Sequence, residues 1–279
     1  MSEIVKKYYN DISVHELNRL NNHYSIIEYK STMYLIDKYM KKNTHIFDIG
    51  SGPGRYSVDL LKKQYKISLL DISDKSIDLA KQIIEKENYK AENYYAMSAL
   101  ELDKFEDDTF DNALILGPMY HLHSKLDRLE VLKNAKRIVK KDGIIIISYI
   151  NSYGIIRSSL FEFPEAYTDD KSFNQSLKGD LQLSSEESFT EAYFTKPLLA
   201  GKEIEEAGLK ILSYAGAESF LSGLHLELKR LYDEEDQTIY NNYIRIASEN
   251  CEMEHYKDTT EHTLFVCKVC KWCVKFLLI

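Results

Sequence analysis

Long apolar runs are missing from this sequence of 279 residues. No stretch approaches the roughly 18 consecutive apolar residues of a membrane-spanning helix, and the opening MSEIVKKYYND has no apolar centre of the kind a secretory signal requires. A cytoplasmic location is expected. A basic excess is missing too: Lys and Arg number 36 against 44 Asp and Glu, a formal charge of -8. Surfaces that bind nucleic acid or anionic membrane need clustered positive charge to neutralise phosphates, so neither is expected as a partner. Cysteine is scarce. Of the four, Cys267, Cys270 and Cys273 crowd the last thirteen residues and the other is Cys251, unlike the disulfide framework of a small secreted fold. Reduced thiols are expected. A zinc site built from the CxxC spacing with His262 or Cys251 would lack a second pair of ligands, so no metal is expected. Internal repeats and low-complexity segments are also absent.

What is present is a 44% hydrophobic content, enough for one sizeable core with a modest cap. Leu17, Leu20, Tyr24 and Ile27 recur at helical spacing, which predicts helices in the first forty or so residues. Five β-rich runs then alternate with helical segments: Thr44 to Ile49, Lys66 to Ile72, Ala91 to Met97, Phe110 to Gly117 and Gly143 to Ile150. Such alternation predicts βαβ units and a mostly parallel sheet covered by helices on both faces. Between the runs, Ile77, Ala80, Ile83 and Ile84 form one helical stripe after a Ser73 cap, and Leu126, Leu129, Leu132, Ile138 and Val139 form another.

Regularity lapses over 151–195, too long for an ordinary connection and read as a substrate lid. Thr195 is expected to cap a helix that stops at Gly208, followed by a sixth strand, a charged helical stretch over 224–249 and a seventh strand at HTLFVCKV. The expected organisation is one α/β domain: an N-terminal helical cap (1–42), a cofactor-binding core (43–150), the lid (151–195), the remaining sheet (196–270) and a tail (271–279).

One turn carries the functional argument. The strand THIFDI runs into DIGSGPGRYS, which places Gly50, Gly52 and Gly54 where a buried parallel strand turns towards a helix. Glycine there allows unusual dihedrals and lets a ligand approach the backbone without meeting a Cβ. Asp71 ends the next strand, 21 positions after Gly50, close to the roughly 20 at which an acidic side chain bonds ribose hydroxyls. Arg55 after Gly54 departs from the Gly-x-Gly-x-x-Gly/Ala spacing of dinucleotide binders, which favours an adenosyl cofactor without a pyrophosphate.

From Ile46 to Ile150 the chain resembles the class I S-adenosylmethionine-dependent methyltransferases, in particular a bacterial small-molecule branch with an LGPMYHL-like segment, here Leu116 to Leu122. The resemblance implies a Rossmann-like seven-stranded sheet with the last strand antiparallel, S-adenosylmethionine as cofactor and a small-molecule acceptor. It implies that Asp48, Gly50, Gly52 and Gly54 serve the methionine and ribose side, that Asp71 holds the ribose hydroxyls, and that Ile72 packs on the adenine. Glu101 would accept from the adenine amino group, Leu102 would offer its backbone N–H to the ring, and Leu116 would form the floor. Tyr9 and Arg19, with Tyr8, resemble residues that close over the cofactor. Tyr120 and His121 would face the methyl or the acceptor, packing being the open alternative for each; the imidazole has the intrinsic pKa of a general base. Phe161, Phe163, Tyr167, Phe189, Tyr193 and Phe194 are expected to wall the pocket or to pack the lid.

The expected function is methyl transfer to a nitrogen, oxygen or carbon atom of a small molecule, by a monomer or homodimer. Cofactor binding without catalysis and a nicotinamide-dependent dehydrogenase are the alternatives. The Asn/Asp-Pro-Pro-Tyr/Phe and Pro-Cys segments of nucleic-acid methyltransferases are not present.

Overall fold

A computed structural model describes residues 2–20 and 22–271. Two helices, α1 (Glu3–Leu20) and α2 (Ile26–Tyr39), precede the first strand, β1 (His45–Ile49). The alternation then appears as expected: α3 (Ser57–Lys62), β2 (Lys66–Asp71), α4 (Asp74–Lys86), β3 (Asn93–Ala96), β4 (Asn112–Ile115), α5 (Lys125–Ile138) and β5 (Ile144–Asn151). Strands β3 and β4 are shorter than their β-rich sequences at both ends. Ser73 caps α4 by accepting from the Ser76 N–H.

The segment after β5 is not irregular. It forms α6 (Ser152–Glu162), a 3₁₀ turn at Pro164–Tyr167, α7 (Asp170–Lys178) and a hairpin of β6 (Leu181–Leu183) with β7 (Ala192–Thr195). Thr195 therefore ends a strand rather than capping a helix; α8 (Pro197–Glu206) starts with Pro197 in its first turn, where a missing N–H costs nothing. The chain continues with β8 (Lys210–Gly216), α9 (His225–Tyr232), α10 (Thr238–Glu249) and β9 (His262–Lys268). The charged stretch read as one helix is thus two, broken at the acidic run after Tyr232.

Strands β3, β2, β1, β4 and β5 lie parallel in that order. Strand β9 pairs antiparallel with both β5 and β8, which gives the expected reversed last strand. The β6–β7 hairpin is added at the end of β5, where Ile150 and Asn151 pair with Phe194 and Thr195.

Alternate residues of the same strands feed two cores, as a pleated sheet covered on both faces requires. Phe47, Ile115, Ile145 and Phe265 pack with Leu132 of α5 and Ile204 of α8. Ile46, Leu114, Ile146 and Leu264 pack with Ile36 of α2 and Ala80 of α4. Leu126, expected in the α5 stripe, is exposed. No helix among the described residues is long and apolar enough to cross a membrane.

Candidate active site

Strand order reverses at β1, which has β2 on one side and β4 on the other. In open α/β sheets ligands bind outside the carboxyl ends of the strands at this switch point. A cleft of about 810 Å³, open mouth included, lies there.

Its floor is the glycine turn, and the three glycines have different reasons to be glycine. Gly50 and Ser51 both donate their N–H to the Leu70 carbonyl, at 2.7 and 3.0 Å, which holds the turn against β2. A Cβ on Gly50 would lie 2.4 Å from Pro118 Cδ, so that position is set by contact with the LGPMYHL segment. Gly52 has a φ of 52°, and a Cβ there would meet no protein atom within 4 Å; this is the open cradle beside the cleft. Gly54 does not line the cleft. A Cβ on it would come 3.1 Å from Ala80 Cβ, so its role is close packing against α4. The helix also starts later than expected, at Ser57.

The acid at the end of β2 is held from behind. Asp71 accepts from Gly52 N–H and Ser73 N–H, one on each oxygen, both at 2.8 Å, which leaves a further lone pair on each oxygen for a ligand. Burial pushes its carboxyl up to about 6 against the pull of those two N–H groups. Asp48, 1% exposed on β1, has no hydrogen-bond partner on either oxygen. Burial, then the nearby Asp71 charge, push it up to about 7. A buried carboxylate left unpaired is expensive, and an ammonium group placed in the cleft would satisfy it. The open cradle at Gly52, the free lone pairs of Asp71 and the unpartnered Asp48 fit the ribose and amino-acid ends of an adenosyl-amino-acid cofactor.

Ile72, Leu116, Tyr120, His121, Tyr9 and Arg19 line the same cleft, as expected. Glu101 and Leu102 do not. Glu101 accepts from Ser98 N–H at 3.0 Å in a capping box and pairs with Lys104, while Leu102 is fully buried in the core. Ala99, two positions before Glu101, lines the cleft instead. The Ser-x-x-Glu pattern over 98–101 is itself a capping-box signature and was the signal that places Glu101 at a helix start.

His121 sits in a chain of contacts that its sequence position does not reveal. Its Nδ1 lies 2.9 Å from the Glu191 carbonyl, which can only accept, so Nδ1 carries the proton. Nε2 is then bare and accepts from the Tyr9 hydroxyl at 2.8 Å. Burial lowers the imidazole to about 4, so it is neutral near pH 7 and a weaker base than its intrinsic value promised. Burial also holds the Tyr9 phenol protonated well past its usual range. Tyr120 donates to the Leu116 carbonyl at 2.8 Å.

None of the six lid aromatics lines the cleft. Phe161 stacks on His225, Phe189 packs on Tyr8, and Tyr193 lies under Arg128. The lid reaches the cleft through His121, which bonds the Glu191 carbonyl and has Phe189 edge-on against its ring at 5.9 Å. Residues that sequence reasoning passed over are Glu16, Glu28 and Arg55, all in the lining. Glu16 forms a two-pronged pair with Arg19 at 2.8 and 2.7 Å. Arg55 reaches the carbonyls of Leu20 and Ser25, tying the α1–α2 junction to the glycine turn. The i, i+3 spacing of Glu16 and Arg19 was the available signal.

Among the described residues no three His, Cys, Asp or Glu side chains gather into a metal-binding group. His262 pairs with Glu218 at 2.7 Å. Cys273 and the tail from 272 onward lie outside the described residues.

A family model described as a methyltransferase domain matches residues 40–216, well over half of the chain, and the chain belongs to that family. Its cofactor is S-adenosylmethionine. The Bacillus subtilis protein YqeM, named as a methyltransferase without established activity, is 25% identical over 125 residues, which are 43% of this chain and 48% of that protein. The match thus spans about half the length of that curated relative. A methyltransferase structure from Methanosarcina mazei superposes with a TM-score of 0.55 at 17% identity, over 84% of this chain and 96% of that one. One from Leishmania major gives 0.60 at 13% identity, over 94% and 80%. At these identities the two structures establish a shared fold, Rossmann-like and mostly parallel.

Proposed function

We propose that this protein transfers the methyl group of S-adenosylmethionine to a small-molecule acceptor bound in the same cleft. One observation carries the reading: two strand-end carboxylates, Asp71 tethered from behind and Asp48 unpartnered, lie at one cleft beside an open glycine turn. Asp71 would accept from the ribose hydroxyls and Asp48 from the methionyl ammonium. Ile72 would pack on the adenine and Leu116 would support the methionyl chain. Tyr9 and Arg19 would cover the mouth.

The cofactor supplies a methyl group already activated by its sulfonium. What the chain must do is hold the acceptor in line and keep water out, and orientation of this kind is worth several kcal/mol of barrier. Tyr120 and His121 occupy the wall where the acceptor would lie. The imidazole orients Tyr9 in the resting state and acts on the acceptor only through that hydroxyl.

A different observation favours one second reading. With Nε2 already accepting from Tyr9, the imidazole of the lining is not free to act as a base, as suits a protein that binds the cofactor without turnover. Calorimetric titration with S-adenosylmethionine, S-adenosylhomocysteine and NAD, followed by an assay for S-adenosylhomocysteine release over amines, phenols and carboxylates, separates the readings. Adenosyl binding with release supports methyl transfer, and adenosyl binding with no release from any acceptor supports the second reading. Binding of NAD alone would replace both with a dehydrogenase.

A further inference from the structure

At the acceptor end of the cleft the Tyr9 and Tyr120 hydroxyls have both spent their protons inside the protein, and carboxylates outnumber guanidiniums in the lining. The Tyr9 proton goes to His121 Nε2 at 2.8 Å, because Nδ1 is the protonated nitrogen of that ring. Both remaining lone pairs of the Tyr9 oxygen are left over. The Tyr120 proton goes to the Leu116 carbonyl at 2.8 Å, with the same consequence. Arg55 donates to the Leu20 and Ser25 carbonyls, and its Nε is sealed inside the protein. Arg19 is forked onto Glu16, and its side chain is 59% exposed at the mouth.

Glu28 completes the pattern. Among the described residues no group donates a hydrogen bond to its carboxylate; the Arg55 guanidinium stands 3.6 Å away, and the side chain is 14% exposed. The neighbouring His262 gives its Nδ1 to Glu218 at 2.7 Å. Glu28, Tyr9 and Tyr120 all line the same cleft.

The charges agree with the inventory. Four carboxylates line the cleft, Glu16, Glu28, Asp48 and Asp71, against two guanidiniums. S-adenosylmethionine brings two cationic centres and one carboxylate, so its net charge of one offsets only part of that difference. The unpartnered Asp48, 1% exposed and in the same lining, already requires one cation. A second molecule that enters must bring donors, and positive charge favours it further. A carboxylate would add a fifth negative charge to the lining, and an alcohol would supply one donor where three acceptors wait.

We propose, on the reading that this cleft binds S-adenosylmethionine, that the acceptor is an amine, held through its N–H groups by Glu28, Tyr9 and Tyr120.

The test uses the full chain saturated with S-adenosylhomocysteine and titrated calorimetrically with three skeletons, phenylethyl, n-butyl and imidazolylethyl, each as the amine, the alcohol and the carboxylate. At least one amine is expected to bind ten times or more tighter than its alcohol, with its carboxylate not binding. Glu28→Gln, which keeps the shape and removes the charge, is expected to weaken that amine at least fivefold while S-adenosylhomocysteine affinity moves less than twofold. Alcohols or carboxylates that bind as tightly as their amines, no binding by any amine, or an unchanged amine affinity in Glu28→Gln would each overturn the proposal. Failure of S-adenosylhomocysteine itself to bind is a separate result, and it removes the underlying reading and this inference with it.

Discussion

Two glycines two positions apart have different reasons to resist substitution. Both have positive φ, 81° at Gly50 and 52° at Gly52, a region that costs an L-residue about 1–2 kcal/mol. At Gly50 a side chain also runs into Pro118, whereas at Gly52 the space beside the backbone is open. Gly50→Ala is therefore expected to lower the thermal midpoint more than Gly52→Val does, while Gly52→Val abolishes adenosyl binding in a protein that remains folded. A Gly52→Val protein that bound S-adenosylhomocysteine normally would remove the turn from the site. Asp71→Ala removes an acceptor whose other lone pairs are fixed by Gly52 and Ser73. Loss of one charged hydrogen-bond partner predicts adenosyl binding weaker by about 1–3 kcal/mol, read by calorimetry. Unchanged affinity would contradict the ribose assignment.

At the scale of elements, the loop carrying Tyr120 and His121 is held by a buried guanidinium. Arg128 on α5 donates to the Leu122 and His123 carbonyls at 2.7 and 2.8 Å, pairs with Glu203 on α8 at 2.9 and 2.7 Å, and stacks 3.6 Å over Tyr193 of β7. Four elements thus meet on one side chain that is 1% exposed. Breaking a buried pair leaves an uncompensated charge and costs about 3–5 kcal/mol. Arg128→Met is expected to lose that much in denaturant unfolding. The double variant Arg128→Met with Glu203→Leu should recover part of it, because no lone charge remains, though the two carbonyls stay unsatisfied. A double variant no more stable than the single one would show that the carbonyl bonds, not the ion pair, hold the loop. The two helices that this pair joins were legible in advance, α5 from its apolar stripe and α8 from its stop at Gly208, whereas β7 lay in the stretch read as a lid. The pair itself was not, since residues 128 and 203 are distant in sequence and each has the look of a surface charge on an amphipathic helix.

Across the whole molecule, protonation links the empty cleft to its ligand. Burial raises the carboxyls of Asp71 to about 6 and Asp48 to about 7, above their values in the unfolded chain. The folded, ligand-free protein therefore binds more protons than the unfolded one in this window, so these two groups favour folding at low pH. Their contribution is lost as pH rises from about 4 through 7. Hydroxyl and ammonium donors favour the ionised carboxylates, so adenosyl binding should release protons near pH 6. Affinity should then rise with pH up to about 7, above which the ligand's own α-ammonium begins to lose its proton. Calorimetry in two buffers of different ionisation enthalpy measures the release directly; proton uptake at pH 6 would place neither acid against a donor of the ligand. The Glu218–His262 pair acts in the same sense at higher pH. His262 is raised to about 10 by Glu28 and Glu218, against its own burial, so its contribution to stability is complete below about 6.5 and is lost as pH climbs through 10.

Local signals were enough to determine the parallel strands of the sheet, the glycine turn, the place of Asp71 at the end of β2 and the adenosyl rather than dinucleotide spacing. Each of these depends on residues within one strand–turn–helix unit, where hydrophobic period and backbone sterics act over a few positions. The same locality explains the errors at Thr195 and Glu101. Thr195 was assigned by its capping propensity, but pairing with β5 recruited it into a strand. Glu101 was placed by counting back from Phe110, and the capping box with Ser98 claimed its carboxylate. Only the tertiary structure decided the state of His121, because its burial, its tautomer and its bond to Tyr9 require α1 and the Glu191 carbonyl to arrive from opposite ends of the chain. It also decided which glycines face the cleft and that the acceptor wall has acceptors to spare, since hydrogen-bond satisfaction belongs to groups that share a volume and not to neighbours in sequence.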